Sequence, residues 1–338
     1  MKTSTQGLLL AGDIGATNTR LALFSAQDPY TAVHRAKFKG PRYARFGDIL
    51  REFLADVHQP ILAASLGAAG PVVEERVKLT NLPWTIDAQE LRQEFGWQGV
   101  WLLNDLKAIA SSVEHLPAAD LHSLQSGLAE AQGSRFVIAP GTGLGVGYLV
   151  WNGQRYLPYA TEAGHADFAP ANALQDELLS FLRQRFPQVH VEHVCSGIGI
   201  PNIYDFLLAS GRAQAPEWLA AQLAAAPDRT PVIVDAAMAG EPGSQICQQV
   251  IEIFVDVLAA EAGSLALTYG STGGVYIGGG IPPRILPEFG RLNFAQKFAA
   301  KTAYESYLGR MPIHIILNTG AGLLGAAAYG WQQLSNIA

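Results

Sequence analysis

The residues whose types and spacing could do chemistry begin with two glycine-bearing loops. One reads Gly12-Asp13-Ile14-Gly15-Ala16-Thr17-Asn18, the other Pro140-Gly141-Thr142-Gly143-Leu144-Gly145. Glycine lets a backbone N–H approach an anion without a Cβ in the way. Successive N–H groups in such a turn form a concave anion site, and Thr17, Asn18 and Thr142 add side-chain donors. A third cluster, Gly278-Gly279-Gly280, has the same character. The chemistry suggested is phosphate binding. Asp13 sharpens it, because a carboxylate beside a phosphate cradle is unfavourable unless a cation lies between them; Mg2+ held through water would serve.

A second candidate is Asp105, after Asn104 and a short apolar run. A carboxylate at the end of a buried strand is fixed in space. With an ordinary pKa of about 3.9 it is a weak base, useful when it takes its proton late in a transfer. The same residue could N-cap a helix beginning near Leu106, and spacing alone supports both roles equally. His190, Glu192, His193 and Cys195 superficially look like metal ligands. In an extended segment, however, 190 and 192 would point one way and 193 and 195 the other, so four ligands would not converge.

Short strands and helices must position these groups. Leu8–Ala11 and Arg20–Phe24 flank the first loop, Arg135–Ala139 and Val146–Trp151 the second. Neither loop has room for a helix, so each pair is expected to be an antiparallel hairpin. Two such hairpins about 130 residues apart suggest two related α/β halves with a cleft between them. Further strands are expected at Ile61–Leu66, Gly99–Leu103, Gly274–Ile277 and Ile313–Leu317, with helices at 46–57, 87–96, 172–185 and 245–262. A hinge is expected near 108–116, residues 117–133 read as a polar surface stretch, and Gly320-Ala321-Gly322 as a site of close helix packing.

The chain has 338 residues, about two domains' worth. With 49% hydrophobic and 15% charged residues it has ample core material, which excludes bulk disorder. A net charge of −6 without a basic run argues against a nucleic-acid stripe or an anionic-membrane patch. Two cysteines make no disulfide framework, and no apolar run is long enough for a signal peptide or a spanning helix, so a cytoplasmic protein is expected. There is no Gly-Lys dipeptide and hence no Walker loop. A dinucleotide fingerprint through Gly141 and Gly143 would need Gly where Val146 stands.

The first loop with Arg20-Leu21-Ala22-Leu23 resembles the first phosphate segment of bacterial glucokinases, members of the actin-like/hexokinase/Hsp70 ATPase superfamily. The same pattern continues through Leu79-Thr80-Asn81-Leu82-Pro83-Trp84, Leu103-Asn104-Asp105, Gly141-Thr142-Gly143-Leu144-Gly145 and Glu162-Ala163-Gly164-His165-Ala166-Asp167-Phe168-Ala169-Pro170. It extends through Glu192-His193-Val194-Cys195-Ser196-Gly197 to Gly273–Ile281, similar to the family's adenosine segment, so the matches run in order from about residue 8 to 326. With two cysteines the chain resembles the zinc-free branch. Ala16 and Ala163 depart from the family's usual glycines.

The resemblance implies two actin-like ATPase (ribonuclease H-like) domains with mixed sheets: a small one of residues 1–110 plus about 315–338, and a large one of 111–314. It implies ATP- and Mg2+-dependent phosphorylation of D-glucose at its 6-hydroxyl by a homodimer, with Asp105 as proton acceptor. Asn81, Asn104, Glu162, His165 and Glu192 match the sugar contacts, and supply the amides, carboxylates and imidazole that a ring of hydroxyls requires. Asp13, Gly15, Thr17, Asn18, Gly141, Thr142, Gly143, Gly278, Gly279 and Gly280 match the nucleotide contacts. A kinase for another hexose or an amino sugar is the alternative within the class. A sugar-sensing regulator is the non-enzymatic one, disfavoured by the acidic charge and by a first strand beginning near residue 8, with no DNA-binding domain ahead of it.

Overall fold

The computed structural model describes residues 7–15, 17–79 and 82–337. Asn81 and Ala16, both singled out above, lie outside the described residues. The chain divides into two units. The first comprises Met1–Ala118, Gln154–Ala160 and Asn318–Ala338, and the second Ala119–Gly153 and Thr161–Leu317. No compositional signal marks the short return at 154–160.

In the first unit β1 (Leu8–Ile14), β2 (Asn18–Ser25) and β3 (Ala32–Lys39) form a meander, and α1 (Phe46–Leu54) leads to β4 (Ile61–Ala68). The short strands β5 (Val72–Val73), β6 (Arg76–Lys78) and β7 (Thr85–Asp87) make a small sheet of their own. After it come α2 (Ala88–Phe95), β8 (Gly99–Asn104) and α3 (Asp105–Ser112). The main sheet has the order β3-β2-β1-β4-β8, with β1, β4 and β8 parallel. Parallel strands need both faces covered. Leu8 and Leu10 accordingly join one buried cluster with Ile49, Leu50 and Phe53 of α1. Their neighbours Leu9 and Ala11 join another, on the opposite face, with Ala326, Ala327 and Leu334. Each such Leu or Ile contributes about 1.5–3 kcal/mol by leaving water.

The second unit begins with β9 (Leu121–Gln125), β10 (Arg135–Pro140) and β11 (Leu144–Trp151). Beyond β12 (Tyr156–Thr161) come α4 (Ala173–Leu182), α5 (Gly199–Ala209), α6 (Glu217–Ala225), α7 (Arg229–Ala239) and α8 (Gln245–Tyr269). The chain then runs through β13 (Gly274–Ile277), α9 (Leu286–Arg291), α10 (Phe294–Ala299), α11 (Glu305–Leu308) and β14 (Ile313–Ile316), before α12 (Ala321–Ile337) returns to the first unit. In its sheet the neighbours run β11-β10-β13-β14-β9, with β10/β11 antiparallel and β10, β13 and β14 parallel. Val250, Phe254, Val257 and Leu258 of α8 are buried in one cluster with Phe136, Ile138, Val275 and Ile313. Each unit therefore repeats one plan, an antiparallel hairpin extended on one side by two parallel strands, as the twin hairpins suggest.

One expectation is corrected. Residues 117–133 are not only surface: Leu121–Gln125 pairs antiparallel with β14 as an edge strand, where one buried face suffices and a polar sequence is tolerated. The segment 108–116, where a hinge is expected, is helix and 3-10 turn, and the boundary between the units follows it at Ala118 and Ala119. Ala108 and Ala110 are buried along it, and a Cβ on Gly325 of α12 would overlap the Ala108 carbonyl, so the two helices cross at backbone contact. Gly322, one turn earlier on α12, takes part in the same packing, since a Cβ there would lie 3.7 Å from Ile109 of α3.

Candidate active site

In the first unit the groups singled out from sequence lie at the carboxyl ends of parallel strands, where α/β sheets carry their ligand sites. Asp13, the last residue but one of β1, is in register with Gly67 of β4, and Gly67 is in register with Leu103 of β8. Asp105 follows two residues later, so the carboxylates stand two strands apart, about 10 Å in the sheet direction. The turn between β1 and β2 closes by a hydrogen bond from the Gly15 N–H to the Asn18 carbonyl (3.0 Å), leaving Thr17 exposed and Asn18 half-buried.

Asp13 is not alone. Arg20 stands opposite it in the hairpin register and donates to it at 3.1 Å, while also reaching the Thr319 carbonyl at 3.3 Å. Burial raises the Asp13 pKa, with Arg20 opposing that shift. The charge that a carboxylate in a phosphate cradle requires is thus met in part by the protein. One carboxylate already paired in this way does not make a dedicated metal cage. It fits an Mg2+ that arrives on nucleotide phosphates and keeps most of its water. Arg20 was missed as a functional candidate, although counting outward from the hairpin turn pairs it with Asp13.

Asn104 and Asp105 divide the roles that the sequence left open. Asn104 is the N-cap of α3: its Oδ1 accepts from the N–H groups of Leu106 (2.8 Å) and Lys107 (3.3 Å). Its Nδ2 donates to the Gly70 carbonyl at 3.4 Å. Asp105 is the first residue of the helix, half-buried, with Oδ1 also accepting from Leu106 N–H at 2.9 Å. The capping role therefore belongs to Asn104, and Asp105 is held by a strand end on one side and a helix start on the other.

In the second unit three segments surround the loop after β10. Pro140 ends that strand; the carbonyls of Gly141 and Thr142 accept from the N–H groups of Gly197 (2.7 Å) and Ile198 (3.1 Å). Among the described residues nothing takes up the N–H groups of Thr142 and Gly143, the donors a phosphate would need. Glu192 reaches the same loop: its Oε2 accepts from the Leu144 N–H at 2.7 Å, and a Cβ on Gly143 would overlap that oxygen. Glu162, exposed, precedes the 3-10 turn Ala163–His165, where a Cβ on Gly164 would overlap the Leu144 carbonyl. His165 Nδ1 lies 3.9 Å from Glu192 Oε1. The structure thus brings His165 and Glu192 together beside Leu144 and the Thr142 loop, with Glu162 at the head of the turn that carries His165.

The glycine cluster after β13 meets the same loop. Gly279 has φ of +86°, and a Cβ there would overlap the Pro140 carbonyl, so its glycine is demanded by the fold. Gly278 N–H donates to Ile138 (2.8 Å), and only Gly280 opens onto free space. The stretch from His190 to Cys195 is not extended: Val191–His193 is a 3-10 turn. Cys195 and Cys247 are buried, and burial raises both thiols, Cys247 to about 11.

A family model described as glucokinase matches residues 10–333. The chain belongs to the glucokinase family. A glucokinase of Nostoc punctiforme is 36% identical over 335 residues, covering 95% of this chain and 98% of that one. The crystal structure of a glucokinase from an Antarctic psychrotroph, 31% identical, covers 96% of this chain and 99% of that one with a TM-score of 0.84. A glucokinase of the ROK family from Streptomyces griseus, solved with glucose and AMPPNP, is 20% identical; it covers 96% of this chain and all of that one with a TM-score of 0.67 and shares the fold. The fold is that of the actin-like ATPases, in keeping with the repeated plan of the two units. Among the described residues no helix is long and apolar enough to cross a membrane, and no group of three or more His, Cys, Asp or Glu is placed to hold a metal ion.

Proposed function

We propose that this protein phosphorylates D-glucose at its 6-hydroxyl with ATP and Mg2+, as a cytoplasmic homodimer. Family membership over nearly the whole chain supports the reaction class. The observation that carries the residue assignment is the division of labour at the end of β8. Asn104 caps the helix, so Asp105 is not required as a cap and its carboxylate serves as the proton acceptor.

The chain's own groups do the following. Asp105 orients the 6-hydroxyl and takes its proton as the new O–P bond forms; as a weak base it contributes mainly through alignment. Glu162, His165 and Glu192 hydrogen-bond the sugar hydroxyls, joined by Asn81 and by the Nδ2 group of Asn104. A site built to pair every hydroxyl rejects an analogue lacking one by roughly 10⁴–10⁵, and an epimer, which misplaces one, is a poor substrate. The free N–H groups of Thr142 and Gly143, with the side chains of Thr17 and Asn18, bind phosphate oxygens, and Gly15, its N–H engaged by the Asn18 carbonyl, keeps the turn clear of a side chain where the nucleotide approaches. Gly280 leaves space for the nucleoside, Gly278 and Gly279 shaping its turn. Asp13 would hold Mg2+ through water, and the metal would neutralise charge on the phosphates.

Glucose 6-phosphate formation from ATP, Mg2+ and glucose tests the reading, comparing the natural chain with Asp105→Asn and with mannose, fructose and N-acetylglucosamine as acceptors. A loss of kcat on the order of 10³-fold with glucose binding retained is expected, in line with removal of a general base. Full activity in the variant would remove Asp105 from the mechanism. Size-exclusion chromatography tests the dimer.

A further inference from the structure

Glu192 is carried on a turn shaped by a histidine. The His190 N–H donates to Nδ1 of His193 at 3.0 Å across the turn Val191–His193. The turn is pinned on every side. Val191 N–H donates to the Ala166 carbonyl (2.9 Å), Ser196 Oγ to the Glu192 carbonyl (2.6 Å), and Asn202 Nδ2 to the His193 carbonyl (2.9 Å). A column of rings runs from this turn to the sugar set. Phe186 stacks on His193 at 4.1 Å, His193 on His190 at 5.1 Å, and His190 lies 5.4 Å from His165, itself beside Glu192.

We propose that His193 is a positioning residue, holding Glu192 against the second glycine loop through the His190 N–H···Nδ1 bond and the ring column, so that a proton on His193 loosens the sugar site. The proposal rests on Glu192 being a sugar ligand. An imidazole nitrogen that accepts an N–H cannot carry a proton, so His193 is neutral with its hydrogen on Nε2. Protonation would set two donors against each other and release the turn.

The groups facing His193 favour the neutral form. Burial lowers its pKa most, His190 and His165 add to that, and Glu192 opposes. Arg185 lies 5.7 Å from the Phe186 ring, on a segment flanking the column, and is paired with Asp205 at 3.4 Å. Asp167 pairs with His190 through an isolated antiparallel bridge. With the pKa depressed, the ring stays neutral and the turn intact through the ordinary histidine range, and the turn is lost as pH falls through the lowered value beneath that range.

Steady-state kinetics of the full chain between about pH 5 and pH 8 test this. His193→Asn keeps an acceptor for the His190 N–H and cannot titrate there; His193→Phe keeps the stack and removes the acceptor. The Phe variant is expected to raise the glucose KM roughly tenfold at neutral pH, the size of one lost buried hydrogen bond, with kcat and the ATP KM within about twofold. The natural chain is expected to show a KM that rises at acid pH, and the Asn variant to keep the neutral KM within about threefold and to flatten that rise. An unchanged KM in the Phe variant, or an acid rise retained in the Asn variant, overturns the proposal. If the Phe variant does not fold, the Asn profile decides. Glu192→Gln separates the two readings: an unchanged glucose KM there removes Glu192 from the sugar site. A raised KM there with an unaffected Phe variant removes only the positioning role.

Discussion

At the scale of single residues, the neighbours Asn104 and Asp105 show how one position can serve the fold so that the next can serve the chemistry. Both types cap helices well, and a sequence reader meeting Asn-Asp before an apolar run cannot tell which does so. The decision rests on backbone geometry. Asn104 has extended φ and ψ and accepts two N–H groups of the first turn, while Asp105 has already entered the helix. Asn104→Ala should therefore lower stability by about 1 kcal/mol, read by urea or thermal unfolding. Its kcat should fall further than that loss suggests, by roughly 10–100-fold, because a shift of about 1 Å in a positioned group is that damaging. An unchanged kcat would mean that the cap does not place Asp105. The same scale explains Arg20: a guanidinium beside Asp13 is part of the site, yet in the sequence it is one strand residue among apolar ones.

At the scale of elements, the crossing of α12 on α3 is decided by one absent side chain. Helix propensity favours Ala over Gly by about 1 kcal/mol, so Gly325→Ala would stabilise an isolated helix. Here the added methyl would overlap the Ala108 carbonyl, and a backbone atom cannot rotate away. The expected outcome is a net loss of about 1–3 kcal/mol, measured by denaturant unfolding. A stabilised variant would show that the helices can separate without consequence. The elements that were legible share a cause. The 87–96 helix announces itself by its cap: Asp87 accepts from Gln89 (2.8 Å) and Glu90 (3.1 Å), and Gly96 closes the helix at φ of +69°. β9 escaped because an edge strand needs only one buried face, and Leu121–Gln125 offers weak alternation. The His190–Cys195 turn escaped because its N–H···Nδ1 bond, absent from any propensity scale, competes with extension.

At the scale of the whole molecule, burial of histidines sets a direction for stability with pH. His115, His193 and His314 each have a pKa lowered by burial. The unfolded chain then binds more protons than the folded one around and below the ordinary histidine pKa. Stability is full above that range and is lost as pH falls through the depressed values. Tm should accordingly decline as pH is lowered from about 7.5 to 5.5, before carboxylates titrate. A flat Tm over that window would show that these rings are hydrated in solution.

The order of motifs along the chain determined by itself the family, the α/β class and most members of the candidate site. Glycine loops, a strand-end carboxylate and alternating strands and helices are local signals, governed by neighbours in sequence. Tertiary structure decided which groups meet. Arg20 on Asp13 comes from hairpin register, Glu192 on the Leu144 N–H joins segments about fifty residues apart, and α12 seals a sheet begun some three hundred residues earlier. The first of these lies within one hairpin and follows from its register, whereas the other two follow from packing between distant segments, which depends on the whole chain being folded at once.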